Sequence, residues 1–130
     1  MTTTAAELVA SAKSRVESLT PDQVAGEAAQ GAIVIDLREP MELRNDGMIA
    51  GAVHAPRGML EFWADPNSQY HREEFQPAQR TILYCASGGR SALAAATLFE
   101  LGYTDVAHLD GGIKAWKQAG CPVTTPELQV

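Results

Sequence analysis

Ile82-Leu83-Tyr84-Cys85-Ala86-Ser87-Gly88-Gly89-Arg90-Ser91 is the run on which the reading of this 130-residue chain turns. Its first part, with Thr81, is a short apolar stretch suited to a buried strand over 81–85. Two adjacent glycines follow, which let the backbone fold tightly because neither carries a Cβ. An alanine-rich segment from about 91 to 101 then has the composition of a helix, and Gly102 can take the left-handed conformation that ends one. A strand, a glycine turn and a helix start in immediate succession place Cys85 where open α/β sheets bind ligands, beyond the carboxyl end of a strand. Loop amides can converge there as an anion-holding nest, and the helix adds its positive end. Thiols at helix N-termini ionise more readily than ordinary ones, so Cys85 is a candidate nucleophile. A lone cysteine at a strand end is more often a small buried hydrophobe. The glycine pair, the arginine and the helix start favour the reactive reading.

Working outward, Ala32-Ile33-Val34-Ile35-Asp36 and Val106–Leu109 read as two more buried strands. The segment from 5 to about 17 is expected to be a helix, with Leu8, Val9, Ala12 and Val16 on one face. A second helix starts at a clear signal: Thr20 as N-cap, Pro21 at the first helical position, Gln23 to close a capping box, and Leu19 with Val24 as a hydrophobic staple. It ends at Gly31. A short last helix around 113–119 carries Ile113 and Trp116 one turn apart and stops at Gly120. Leu60–Trp63 suggests a helical turn within irregular chain marked by Pro66, Asn67 and Pro77. Strands alternating with helices predict an α/β fold with a mainly parallel central sheet and helices on both faces. Residues 1–18 are assigned to an N-terminal helical extension, 19–124 to the domain, and 125–130 to a C-terminal tail.

Composition narrows the function classes. The formal net charge is −6 and Lys and Arg form no run or stripe, which argues against nucleic-acid binding. No stretch is apolar and long enough to span a membrane, and the N-terminus has no basic, apolar leader pattern. Two cysteines in unrelated contexts do not make a disulfide scaffold. A cytoplasmic, reducing compartment, where a free thiol survives, is the expectation. His71 and His108 are scattered and give no metal-ligand cluster, so neither metal nor other cofactor is expected.

The Cys85 loop resembles that of the rhodanese family, and the likeness extends along the chain. Asp36-Leu37-Arg38-Glu39 resembles the family's early Asp-x-Arg motif, and Ile49-Ala50-Gly51-Ala52-Val53-His54-Ala55-Pro56 its second. The cysteine loop is similar to the third. The fourth is matched by Leu109-Asp110-Gly111-Gly112-Ile113-Lys114-Ala115-Trp116 with Ala119-Gly120-Cys121-Pro122-Val123. The four stand in order between residues 20 and 123. The resemblance implies ping-pong sulfur transfer, in which Cys85 takes the sulfane sulfur of a donor such as thiosulfate and passes it to a thiol or to cyanide. It implies Cys85 as nucleophile, with Ala86, Ser87, Gly88, Gly89, Arg90 and Ser91 holding the developing charge as an oxyanion hole does. The family's phosphatase and arsenate-reductase relatives have one more loop residue, whereas only four residues separate Cys85 from Arg90. The shorter loop favours a sulfur atom over a tetrahedral phosphate. A sulfur-relay or binding module with little turnover is the main alternative, because folds outlive their chemistry.

Two departures from the family pattern bear on substrate. Ala86 stands where many single-domain members have a basic residue, which weakens the case for thiosulfate as donor, and Met48 replaces a histidine of structural character. Arg57, beside Gly58, could reach the site in place of the missing charge. Arg90 either orients the loop and attracts anions or hydrogen-bonds backbone carbonyls. Asp36, Arg38 and His54 read as structural. Phe62 and Trp63 either belong to the core or border the pocket, and Cys121 reads as a small residue of the tail. The first helix either covers its own sheet or presents Leu8, Val9 and Val16 to a second copy of the chain or another protein partner.

Overall fold

Five short strands pair in parallel in the order β1-β5-β4-β2-β3, so the strand that leads to Cys85 lies at the centre of the sheet. The computed structural model of the chain describes residues 2–126. The strands are β1 (Glu17–Leu19), β2 (Ile33–Asp36), β3 (Val53–His54), β4 (Thr81–Tyr84) and β5 (Val106–Leu109). The helices are α1 (Ala5–Lys13), α2 (Pro21–Ala29), α3 (Pro40–Asp46), α4 (Leu60–Ala64), α5 (Gly89–Glu100) and α6 (Gly112–Gln118), with a 3-10 turn at Arg57–Met59.

Period-2 alternation along the strands builds two cores. Ile35, Leu83 and Val106 pack with Leu60, Ala94, Ala95 and Leu98 on the side of α4 and α5. Val34, Ile82, Ala107 and Leu109 pack with Val24, Ile113 and Trp116 on the side of α2 and α6. This is the expected α/β architecture with a covered parallel sheet. One antiparallel bridge, between Met48 and Thr124, lies outside the ladder.

The start of the chain differs from expectation. The first helix ends at Lys13, capped by Ser14, and Glu17–Leu19 continue as the edge strand β1 beside β5. Only Leu19 of that strand is buried, so its three residues show no alternating pattern; pairing with the Ala107-to-Leu109 backbone decides the conformation. The sheet therefore begins before residue 19, inside the segment assigned to an extension. Thr4 and Glu7 make a capping box that starts α1, and Val9, near Gly89, places the helix against α5. Ala12 and Val16 are buried while Leu8 is exposed. Around α2 the expected capping box is formed by Thr20 and Gln23, with Leu19 and Val24 in one cluster. Met1 and residues 127–130 of the expected tail lie outside the described residues.

Candidate active site

Cys85 leaves the central strand β4 and is 1% exposed. Its Sγ accepts a hydrogen bond from the Gly88 backbone N–H at 3.2 Å. The turn that permits this has Gly88 at φ +108°, a left-handed value at which a side chain is strained. Helix α5 starts at the next residue, so the sulfur sits at the positive end of a twelve-residue helix. Two carbonyls of the loop are taken up from outside: Ile113 N–H donates to Cys85 O at 2.9 Å and Lys114 N–H to Ala86 O at 3.3 Å. A Cβ at Gly112 would overlap both carbonyl oxygens, so only glycine lets α6 approach this closely. The glycine pair at 111 and 112 thus serves the cysteine loop, from the far end of the sequence.

Behind the sulfur lies a chain of polar groups. Ser91, on the first turn of α5, has its Oγ 3.7 Å from Cys85 Sγ, 3.2 Å from Gly88 O and 2.8 Å from His108 Nδ1. His108 Nε2 is 3.2 Å from Ser18 Oγ on β1. Ser91 and His108 are fully buried, whereas Ser18 lies on the exposed edge strand. Burial holds His108 below the ordinary histidine range; nearby Asp110 raises it and Lys13 lowers it. The sequence reading missed this histidine, although a His within the buried Val-Ala-His-Leu strand was its visible signal.

Arg90 does not turn onto backbone carbonyls. It forms a bidentate pair with Glu42 of α3, both contacts at 2.9 Å. The Arg90 guanidinium, opposed by partial burial, takes the Glu42 carboxyl down to about 2. Glu42 was unforeseen, yet Pro40 at the start of α3 and Glu42 three residues after Glu39 carry the mark of a helix N-terminus, and Glu42 accepts from Glu39 N–H at 2.9 Å. Arg57 has its guanidinium on Glu61 at 2.8 Å and on Thr97 at 3.5 Å, farther along α5. Ala86 is half-buried and Ser87 exposed at the tip of the loop. Beside Ala86 opens a cleft of about 330 Å³ lined by Asp46, Ile113, Lys114, Lys117 and Gln118. On the other side, Lys13 Nζ comes within 3.8 Å of where a Gly88 side chain would begin.

The Asp-x-Arg motif forms a separate buried cluster at the end of β2. Arg38 donates to Asp36 through Nε at 3.1 Å and Nη2 at 2.8 Å, and to Gly47 O at 2.7 Å. Tyr84 O–H donates to Asp36 at 2.6 Å and accepts from Ile49 N–H at 3.0 Å. Burial, then the charge of Asp36, raises the Tyr84 phenol and keeps it protonated. His54 Nε2 meets Arg38 O at 2.6 Å. Trp63 packs against the α5-side core under the Arg72 guanidinium, and Phe62 is exposed, edge-on to Tyr70. Cys121 is free and packs against the α2/α6 core, and Trp116 and Ile113 are buried there. Among the described residues no group of three His, Cys, Asp or Glu could hold a metal, and no helix is long and apolar enough to cross a membrane.

The model of the rhodanese-like domain matches residues 20–119. The chain belongs to the rhodanese-like family. It is 33% identical to a sulfurtransferase of Allochromatium vinosum over 98 residues, covering 75% of this chain and 83% of that one. It is 30% identical to the thiosulfate sulfurtransferase GlpE of Pseudomonas entomophila over 104 residues, covering 80% and 87%. Among solved structures, a protein of unknown function from Rhodopseudomonas palustris, described as a possible tyrosine phosphatase, superposes with a TM-score of 0.89 at 40% identity, covering 95% of this chain and 96% of that one. As a rhodanese-like domain the chain has its motifs at the ends of neighbouring strands: Asp36 closes β2, Cys85 follows β4, and Asp110 follows β5.

Proposed function

We propose that this rhodanese-like domain is a sulfurtransferase that carries sulfane sulfur as a persulfide on Cys85. The observation that carries the reading is the sulfur itself, held by Gly88 N–H and faced by Ser91 Oγ, and the four residues between Cys85 and Arg90 favour a sulfur atom over a tetrahedral phosphate. The Cys85 thiolate attacks the sulfane sulfur of a donor such as thiosulfate. The sulfur–sulfur bond of the donor breaks and sulfite leaves with its electron pair, which makes Cys85–S–S⁻. A thiolate or cyanide then attacks the outer sulfur and Cys85 thiolate is the leaving group. The amides of residues 86–91 hold the negative charge at each stage, and no cofactor is required. Lys13 on one side of the loop and Lys114 and Lys117 on the other supply the positive field that Ala86 does not.

The phosphatase description of the Rhodopseudomonas relative makes that chemistry a second reading to test. The bidentate Arg90–Glu42 pair weighs against it, since a carboxylate already held on Nη1 and Nη2 competes with a phosphate for that guanidinium. Intact mass after exposure to thiosulfate, or to a small persulfide, separates the readings. A gain of one sulfur, removed by cyanide or thiol and absent in Cys85→Ser, is expected, together with no phosphate release from an aryl phosphate. No gain from either donor, in folded protein with an alkylatable thiol, would leave the sulfur-binding or relay module as the better account.

A further inference from the structure

Cys85 is only 1% exposed, so the polar groups packed behind its sulfur are the first candidates to take up the proton that its thiol loses. Ser91 has a single hydroxyl hydrogen and three neighbours within reach: the sulfur, Gly88 O and His108 Nδ1. His108 is fully buried and sits in register beside Ser18, whose hydroxyl reaches the exposed edge of the sheet. Period-2 alternation explains the alignment, for His108 shares the α5-facing side of β5 with Val106. These contacts admit two arrangements in which each polar atom is satisfied. With a thiol, S–H points to Ser91 Oγ, Ser91 donates to Nδ1, and Nε2–H donates to Ser18. With a thiolate, Nδ1–H donates to Ser91, Ser91 donates to the sulfur, and Ser18 donates to Nε2.

We propose that Ser91, His108 and Ser18 form a proton relay that couples ionisation of Cys85 to the tautomer of a histidine that stays neutral. In each conversion one proton moves from sulfur to Ser91 Oγ, one from Ser91 to Nδ1, one from Nε2 to Ser18, and one from Ser18 to water. The imidazole gains and loses one proton and ends uncharged, and the only net change is a proton released by the thiol. Burial, which disfavours an imidazolium at this position, suits such a carrier. The charged groups that face His108 are Asp110, at the end of its strand, and Lys13 from α1. Cys85 is faced by Arg90, whose charge Glu42 balances. Ser91 and His108 are therefore positioning residues for the nucleophile.

The inference rests on Cys85 being the nucleophile proposed above, but its test reads ionisation and not sulfur transfer, so either can fail alone. In wild-type protein with ¹⁵N-labelled histidine, ring-nitrogen shifts followed against pH are expected to show His108 passing from the Nε2–H to the Nδ1–H tautomer. The midpoint should coincide with that of Cys85 alkylation by iodoacetamide, and in Cys85→Ala the tautomer should not change. Ser91→Ala, and His108→Asn, which can hold a hydrogen bond to Ser91 but cannot pass a proton, should each raise the alkylation midpoint by about one pH unit, a tenfold loss of thiolate below it. A tautomer constant through the thiol transition, or an imidazolium formed there, overturns the relay. So does an unchanged alkylation midpoint in both variants. The wild-type titration decides the matter even if a variant does not fold.

Discussion

Strands β2 and β4 pair in register through Asp36 and Tyr84, and each then delivers an arginine and a reactive-looking group to the same carboxyl end of the sheet. At the β2 end each carboxylate oxygen of Asp36 is engaged, Arg38 is buried with two acceptors, and the Tyr84 hydroxyl both donates and accepts. One guanidinium nitrogen, Arg38 Nη1, is left without a partner. Burial works against the Arg38 charge, and the bonds and charge of Asp36, with Tyr84, outweigh it. At the β4 end the arginine is turned away onto Glu42, and the sulfur keeps only Gly88 N–H and a weak contact to Ser91. A cluster whose polar groups are nearly all paired holds a structure together, while a sulfur with one backbone donor keeps acceptor capacity for a further partner. The difference matches the sequence reading, in which Asp36 and Arg38 are structural and Cys85 is the candidate nucleophile.

The sharpest way to break this comparison is to remove Arg38. Arg38→Met leaves Asp36 buried opposite an apolar chain, and breaking such a pair costs about 3–5 kcal/mol. That is a large share of the stability of a domain of ordinary size, about 5–15 kcal/mol. Urea unfolding is expected to show a drop of this order, while the fraction that remains folded at low temperature still loads one sulfur on Cys85. Loss of loading in folded Arg38→Met would mean that the β2 cluster takes part in the chemistry and that the two strand ends are not separate.

A smaller effect is expected where the two ends touch, at Glu42 and Arg90. The Glu42 carboxyl is held at about 2 in the folded chain against an ordinary value of 4.5. A depressed acid stabilises the fold at pH values above its unfolded value, and that contribution fades as pH falls from 4.5 towards 2. Because both side chains are about one-third exposed, the pair is worth about 1 kcal/mol and not the full amount that the shift would suggest. Wild type should exceed Glu42→Gln by that margin at pH 7, and the gap should close over this acid window. A gap independent of pH would show that the glutamine variant loses packing and not charge pairing.

Much of the frame was legible because local chemistry and tertiary structure agree. Thr20-Pro21-Asp22-Gln23 starts a helix by its own capping groups, and the apolar runs at Ile33–Asp36 and Val106–Leu109 have no alternative but burial. The Cys85 turn was legible because two glycines, a strand and a helix start coincide. What escaped lies in pairings that sequence distance hides. Glu17–Leu19 is a strand only because β5 is beside it. Val53–His54 is a two-residue strand against β2, too short to show a period. His108 stands 17 positions from Ser91 and 90 from Ser18, so three residues unremarkable alone become one chain of contacts only when β1, β5 and α5 are assembled. Arg57, read from sequence as able to reach the site in place of the charge absent at Ala86, makes its i,i+4 pair with Glu61 on the same turn.

The remaining question at the β4 end is which residue attracts an anionic donor, and Lys13 is the candidate that the fold brings forward. Its amine is 3.9 Å from Asp110 and next to Gly88, and it comes from α1, before the residues matched by the family model. Both partners in the Asp110 contact are well exposed, so the pair adds little to stability and its loss should be within about 0.5 kcal/mol by unfolding. A dianion such as thiosulfate approaching the loop feels the amine at several ångströms through water, which amounts to about a threefold change in KM. Lys13→Ala should therefore raise KM for thiosulfate by that factor at low salt, leave kcat alone, and differ less from wild type as ionic strength rises. Transfer from an uncharged persulfide donor should not change. An equal loss with both donors would assign α1 a part in holding the loop, and a loss in Arg57→Ala but not in Lys13→Ala would return the donor site to the 3-10 turn.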